Sequence, residues 1–196
     1  MKTALLLPMM ALLASAQQPA ADSRPVILAF GDSLTAGYGV PAGFGYPGQL
    51  QKKLDAGGYK YRVVNMGITG DTTSGARARM NRALAVNPAI VILELGANDS
   101  SSGLTLGQTQ ANLEQMIAFF KNGGATVVLA GRTLSRQEDV IGKLADKHHL
   151  PLIPSLLEGV AGDPTLTIGD RIHPNAEGYA IVTDTVMKAI EPLLKK

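Results

Sequence analysis

The sequence predicts an α/β domain, a mostly parallel five-stranded sheet between layers of helices, and three observations carry that prediction. Apolar runs at residues 26–30, 61–65, 90–95, 126–130 and 150–153 recur along the chain, most of them rich in β-branched residues. Stretches of helical length and amphipathic spacing separate them. The runs do not alternate apolar with polar, which is the pattern of strands buried on both faces. Strand and helix in repetition is the order of a parallel sheet covered on either side.

Each element can be justified in turn. Residues 26–30, Val-Ile-Leu-Ala-Phe, end at Gly31 and read as the first strand. Residues 47–56 carry Leu50 and Leu54 one helical turn apart and stop at Gly57-Gly58, a helix and its terminator. Residues 61–65 form the second strand, and 73–86 a helix that ends before Asn87-Pro88. The third strand, 90–95, is again closed by glycine, at Gly96. Residues 106–121 place Leu113, Met116, Ile117 and Phe120 on one side of a helix ended by Gly123-Gly124. A fourth strand at 126–130, a helix at 137–148 and a short fifth strand at 150–153 follow. The last helix, 175–194, buries Ile181, Val182, Val186 and Ile190.

The first residues read differently. Lys2 precedes an almost wholly apolar run from 4 to 13, and Ala14-Ser15-Ala16 sets small residues where a signal peptidase reads. This is the layout of a secretory signal, expected to be cut after Ala16. A bilayer span needs about 20 apolar residues, and this run is shorter and holds Pro8. The expected division is a signal peptide at 1–16, a polar leader at 17–24 and one domain at 25–196. The predicted location is the periplasm or the medium. The mature chain has 17 basic residues, Lys2 being removed from 18, against 16 acidic ones. With no basic run or aromatic stripe, that balance argues against nucleic-acid binding. The chain has no cysteine, so thiolate chemistry and disulfides are excluded. No stable membrane span is expected in the mature chain, and a monomer is.

Parallel sheets gather functional groups at the carboxyl ends of their strands. Here those ends are Gly31-Asp32-Ser33-Leu34, Asn65-Met66-Gly67 and Gly96-Ala97-Asn98-Asp99, with Asp170-Arg171-Ile172-His173-Pro174 just before the last helix. Acyl transfer by a serine needs an imidazole to take the hydroxyl proton and a carboxylate to orient that imidazole. Asp170 and His173, three apart in a turn, suit the second requirement. Pro174 suits the first turn of the helix that follows. A tetrahedral oxyanion needs hydrogen-bond donors, for which the N–H groups of Ser33 and Gly67 and the amide of Asn98 are candidates. Each piece alone has a plainer explanation: Gly-Asp-Ser is an ordinary turn, Asn98 a cap, and a lone histidine a structural residue. Their appearance together, each at a strand end or turn, is what carries the inference.

These four blocks resemble the GDSL, or SGNH, hydrolases. The longer stretches FGDSLTAGYG, NMGITGDTT, LELGAND and IHPNAEGY are similar to a thioesterase/arylesterase/lysophospholipase branch of that family. The resemblance spans nearly all of the mature chain. It implies a flavodoxin-like three-layer α/β/α sandwich with no metal or organic cofactor. It also implies Ser33 as nucleophile, His173 as base and then acid, Asp170 as its support, and Ser33, Gly67 and Asn98 as oxyanion donors. The expected activity is ester hydrolysis, on aryl or acyl esters and extending to thioesters or lysophospholipids. Leu104, Leu106 and Leu156, on the loops after the third and fifth strands, are the expected acyl contacts.

One departure and three rivals arise from the same residues. Members of that branch often carry a longer, proline-containing loop after the fourth strand, whereas residues 131–135 here run almost directly into a helix. A shorter or more open acyl groove is expected. The nearest rival keeps the chemistry and takes an acetylated carbohydrate. A phosphatase built on Asp32 would want a second acid two residues on, where Leu34 stands. A non-catalytic binding module would typically have lost Ser33, Asp170 or His173, and all three are present.

Overall fold

Five strands, β1 Val26–Gly31, β2 Arg62–Asn65, β3 Pro88–Glu94, β4 Thr126–Ala130 and β5 Leu152–Ile153, form one sheet in the order β2-β1-β3-β4-β5. Every pairing is parallel. The computed structural model describes residues 22–132 and 136–196. The expected signal segment at 1–16 therefore lies outside the described residues, as do positions 133–135 of the short loop.

Because successive strand residues point to opposite faces, two apolar layers form. Ile27, Ala29, Ile90, Ile92 and Val128 meet α2 (Tyr46–Ala56) through Leu50 and Leu54, and α7 (Ala176–Ile190) through Tyr179, Val182, Val186 and Ile190. On the other face Val26, Leu28, Phe30, Val91, Leu93 and Leu129 meet α3 (Thr73–Ala78), α4 (Met80–Leu84), α5 (Leu106–Asn122) and α6 (Arg136–His148). Burying each such side chain stabilises the fold by about 1.5–3 kcal/mol. The three-layer flavodoxin-like architecture expected from the sequence is the one observed.

Strand β3 begins two residues earlier than expected, at Pro88, β5 begins two residues later, at Leu152, and two helices differ more. The helix expected at 73–86 is two short ones broken at Arg79, whose backbone leaves the helical region at φ −110°. The Arg79 guanidinium is drawn inward instead, pairing with Asp71 at 2.6 Å, donating to the Met66 carbonyl at 2.6 Å and lying 4.0 Å over the Phe30 ring. Those tertiary bonds outweigh the local preference for one helix. The last helix starts later than expected. Asn175 caps it by accepting the Gly178 N–H, and Pro174 pairs with Thr167 in a short antiparallel bridge rather than opening the helix. At the other end it gives way to a 3₁₀ turn, Glu191–Leu193, that contains Pro192. The apolar pattern did not anticipate α1, Ser33–Ala36, a single turn directly after β1.

The strand order decides where a crevice forms. Strands β2 and β3 lie on opposite sides of β1, so the chain reverses its direction of travel there, and the crevice opens beyond the carboxyl ends of β1 and β3.

Candidate active site

Strand β1 delivers Asp32 and Ser33 to that crevice. The Asp32 carboxylate accepts the Leu34 N–H at 3.1 Å and caps α1, which sets Ser33 as the first helical residue, 9% exposed. Strand β3 ends four residues before Asn98. The third contribution comes from the loop before α7. There Asp170 Oδ1 accepts the N–H groups of Ile172 and His173, each at 2.9 Å, in a closed turn. The Ile168 N–H donates to the His173 carbonyl at 2.9 Å and ties the turn to its own base.

This turn aims the ring. The His173 Nδ1–H lies 2.6 Å from Asp170 Oδ2, and Nε2 lies 2.8 Å from Ser33 Oγ. With Nδ1 donating to a carboxylate, Nε2 is left as the acceptor for the serine hydroxyl. Partial burial opposes ionisation of Asp170. The hydrogen bonds from the His173 ring, Ile172 and His173 N–H groups prevail and hold its carboxyl at about 2, well below the usual range. The Tyr38 ring packs against the imidazole with centroids 4.8 Å apart. Together with Leu34, Thr69, Gly70, Ala97, Asn98, Arg132 and Ile172 these groups line a cleft of ≈ 360 Å³.

Ser33, Asp170 and His173, predicted from far-separated stretches, are thus brought into one hydrogen-bonded line. Asn98 is also in the cleft, but its amide is occupied: Nδ2 donates to Asp32 Oδ2 at 3.2 Å and to the Asp71 carbonyl at 2.9 Å. Gly67 requires a correction. Its N–H donates to Asn65 Oδ1 at 2.8 Å, and it faces a different cavity, with Ile68, Arg79 and Arg82. A Cβ there would strike the Ala36 backbone, so Gly67 lets β2's loop pack against α1. The glycine of that loop that reaches the cleft is Gly70. Its N–H, like that of Ser33, makes no hydrogen bond among the described residues.

The expected acyl contacts are also displaced. Leu156 is fully buried in the core beside α7. Leu104 is half-buried, and Leu106 projects from the start of α5, 47% exposed; neither lines the cleft. The apolar lining comes from Tyr38, Leu34, Ala97 and Ile172. A loop leucine signals apolar surface without saying which surface, which is why the sequence misplaced these contacts. For Gly70 the sequence held the candidate but not the choice, since NMGITG offers two glycines and only the fold shows which one reaches the cleft. Among the described residues no group of three or more His, Asp or Glu converges as a metal-ligand set.

The chain matches the GDSL-like lipase/acylhydrolase family over residues 29–181. It is 36% identical to esterase TesA of Pseudomonas aeruginosa, over 99% of this chain and all of that protein. It is 33% identical to thioesterase 1/protease 1/lysophospholipase L1 of Escherichia coli, over 89% of this chain and 87% of that one. The crystal structure of TesA superimposes with a TM-score of 0.81 at 37% identity, covering 86% of this chain and 99% of the other. A serine, a histidine and an aspartate in line at the crest of a parallel sheet, on a chain matched throughout to ester hydrolases, have one common origin: this protein belongs to the GDSL-like lipase/acylhydrolase, or SGNH, family of esterases.

Proposed function

We propose that the chain is an exported esterase that cleaves carboxylic esters in two steps through an acyl-Ser33 intermediate. The observation that carries this reading is the line from Ser33 Oγ through the His173 ring to Asp170. Ser33 Oγ attacks the ester carbonyl carbon while its proton passes to Nε2, and Asp170 stabilises the imidazolium that forms. The oxyanion is received by the N–H groups of Ser33 and Gly70 and by the Asn98 amide, which shares with it the N–H held on Asp32, the longer of its two bonds. Each well-aimed donor lowers the barrier by about 3 kcal/mol. His173 then protonates the departing alcohol. Water repeats the sequence on the acyl-enzyme, returning the proton to Ser33 as the acid leaves.

The cleft suits small acyl or aryl esters, with Tyr38 and Ile172 offering apolar contact beside the nucleophile. Thioesters and lysophospholipids are further candidates, as the name of the E. coli relative suggests. Export rests on the first 16 residues. Among the described residues no helix is long and apolar enough to cross a membrane.

A fluorophosphonate probe tests the mechanism directly: the adduct is expected on the Ser33 peptide. A folded protein that takes up no label would favour the binding-module alternative. A panel of p-nitrophenyl esters from acetate to palmitate, acyl-CoA, lysophospholipid and acetylated sugar tests the substrate class. The highest kcat/KM is expected on a short acyl ester, and an optimum at palmitate would overturn the short groove. A clear preference for the acetylated sugar would favour the carbohydrate reading. Mature protein recovered from the periplasm or medium should begin at Gln17, and light scattering should give a monomer.

A further inference from the structure

Glu94 closes strand β3 directly beneath the nucleophile, 1% exposed, and the acyl-transfer steps make no use of it. The titratable groups that face it are Asp32 from the β1–α1 turn, Tyr46 from α2 and Tyr179 from α7, none of which offers a positive charge. Two donors fall on its Oε2: the Asp32 N–H at 3.3 Å and the Thr35 hydroxyl at 3.0 Å. The Thr35 oxygen in turn lies 3.2 Å from the Tyr46 hydroxyl, which donates to it. Oε1 is left to carry a proton. The packing here is tight, since a Cβ at Gly31 would meet both the Thr35 hydroxyl and Glu94.

The second half of the geometry concerns Asp32. Its N–H reaches Glu94 Oε2 at 3.3 Å and both residues are 1% exposed, so two acids share one dry site, which favours a proton on one of them. Burial pushes the Asp32 carboxyl up as well, but it receives the Leu34 N–H and the Asn98 amide, and the charge of Arg132 favours its anion. Glu94 receives only the Asp32 N–H and the Thr35 hydroxyl and has no positive charge facing it, so the shared proton resides on Glu94. The chain of donors runs from Tyr46 through Thr35 to Glu94, which stands beside Asp32, and Asp32 accepts from Asn98 at the cleft.

We propose that Glu94 is a positioning residue for ester hydrolysis, a neutral carboxylic acid that donates to Asp32 and so holds the Asn98 amide ready for the oxyanion. This rests on the acyl-serine reading and on Asn98 as an oxyanion donor. Burial first, and the neighbouring Asp32 charge second, push the Glu94 carboxyl well above its usual range. At alkaline pH it loses its proton, two carboxylates then oppose each other, and Asn98 is displaced. The facing tyrosines are themselves pushed upward, by burial and by the charges of Glu94 and Asp32, so they remain neutral through that range.

Glutamine is the informative replacement. Its amide N–H donates to Asp32 and its carbonyl accepts from Asp32 N–H and Thr35, so the geometry survives while the titration is removed. Steady-state kcat and KM for p-nitrophenyl acetate should be measured from about pH 6 to about pH 9.5 on wild type, Glu94→Gln and Glu94→Ala. Wild type is expected to lose kcat on the alkaline side. Glu94→Gln should keep kcat within about threefold at neutral pH and lose that alkaline fall. Glu94→Ala should lose roughly tenfold or more in kcat with KM nearly unchanged. The infrared spectrum of the folded wild type should hold the C=O stretch of a buried protonated carboxyl, missing in Glu94→Gln. A Glu94→Gln variant as slow as Glu94→Ala, one that keeps the alkaline fall, or a wild type without the carboxylic band would overturn the assignment. Wild type inert on every ester would instead overturn the esterase reading, and the infrared band would still decide where the proton sits.

Discussion

Two carboxyl groups flank the reactive serine, and the fold keeps them in opposite states. Asp170 lies in a surface turn whose backbone and imidazole N–H groups all point at it, and its carboxyl stays ionised down to about 2. Glu94 lies under the sheet's edge, sealed from water and set against another acid, and its carboxyl is pushed the other way. Neither outcome follows from residue type. One acid is supplied with donors and serves as a fixed negative charge; the other is deprived of solvent and serves as a donor itself. The two sides also differ in reach. Asp170 and His173 are three residues apart, whereas Glu94, Asp32 and Asn98 come together only when β1 and β3 pair.

That contrast can be attacked in order of effect. Ser33→Ala removes the nucleophile both sides serve and should lower kcat/KM by roughly 10⁶, with a melting curve like that of wild type. Residual activity near wild type would remove Ser33 from the mechanism. Asp170→Asn keeps the turn but invites the wrong imidazole tautomer, and a loss of about 10⁴ in kcat is expected. On the buried side, Asn98→Ala should cost about 10²–10³ in kcat with little change in KM. If Asn98→Ala proved the costlier of the two, the ranking of the surface turn over the buried chain would be reversed.

The next test concerns stability. In the unfolded chain Glu94 ionises near about 4.3, while in the fold it keeps its proton to higher pH. The folded state therefore binds the extra proton, and the Glu94 contribution is full below that value and declines as pH rises toward its folded pKa. Glu94→Gln removes the slope, so its Tm relative to wild type should rise between about pH 5 and about pH 8. A constant difference would show that Glu94 is charged in the fold. The smallest effect belongs to the surface turn: Arg171 sits at φ +59°, a left-handed conformation that costs a residue with a Cβ. Arg171→Gly should stabilise by about 1 kcal/mol, raising Tm by a few degrees with kcat preserved. No gain in Tm would mean that side-chain contacts of Arg171 outweigh the strain.

Much of this molecule is written locally. Continuous apolar runs ended by glycine marked the strands, leucines one turn apart marked α2, and the Leu113, Met116, Ile117 and Phe120 stripe marked α5, because these signals depend only on which faces must leave water. The blocks around Ser33, Asn98 and His173 were legible for a related reason: each is a short turn with its own chemistry, at a strand end that a parallel sheet places on a common edge. What the sequence left undecided depends on partners distant in the chain. Arg79 breaks a helix to reach Asp71 and Met66, and Asn65 takes the N–H of Gly67, so that Gly70 faces the cleft instead. The residue string shows that Glu94 is an acid within an apolar strand. Only the packing of Asp32, Thr35, Tyr46 and Tyr179 around it decides that it is a neutral one, because protonation depends on solvent and neighbours rather than on the identity of the side chain.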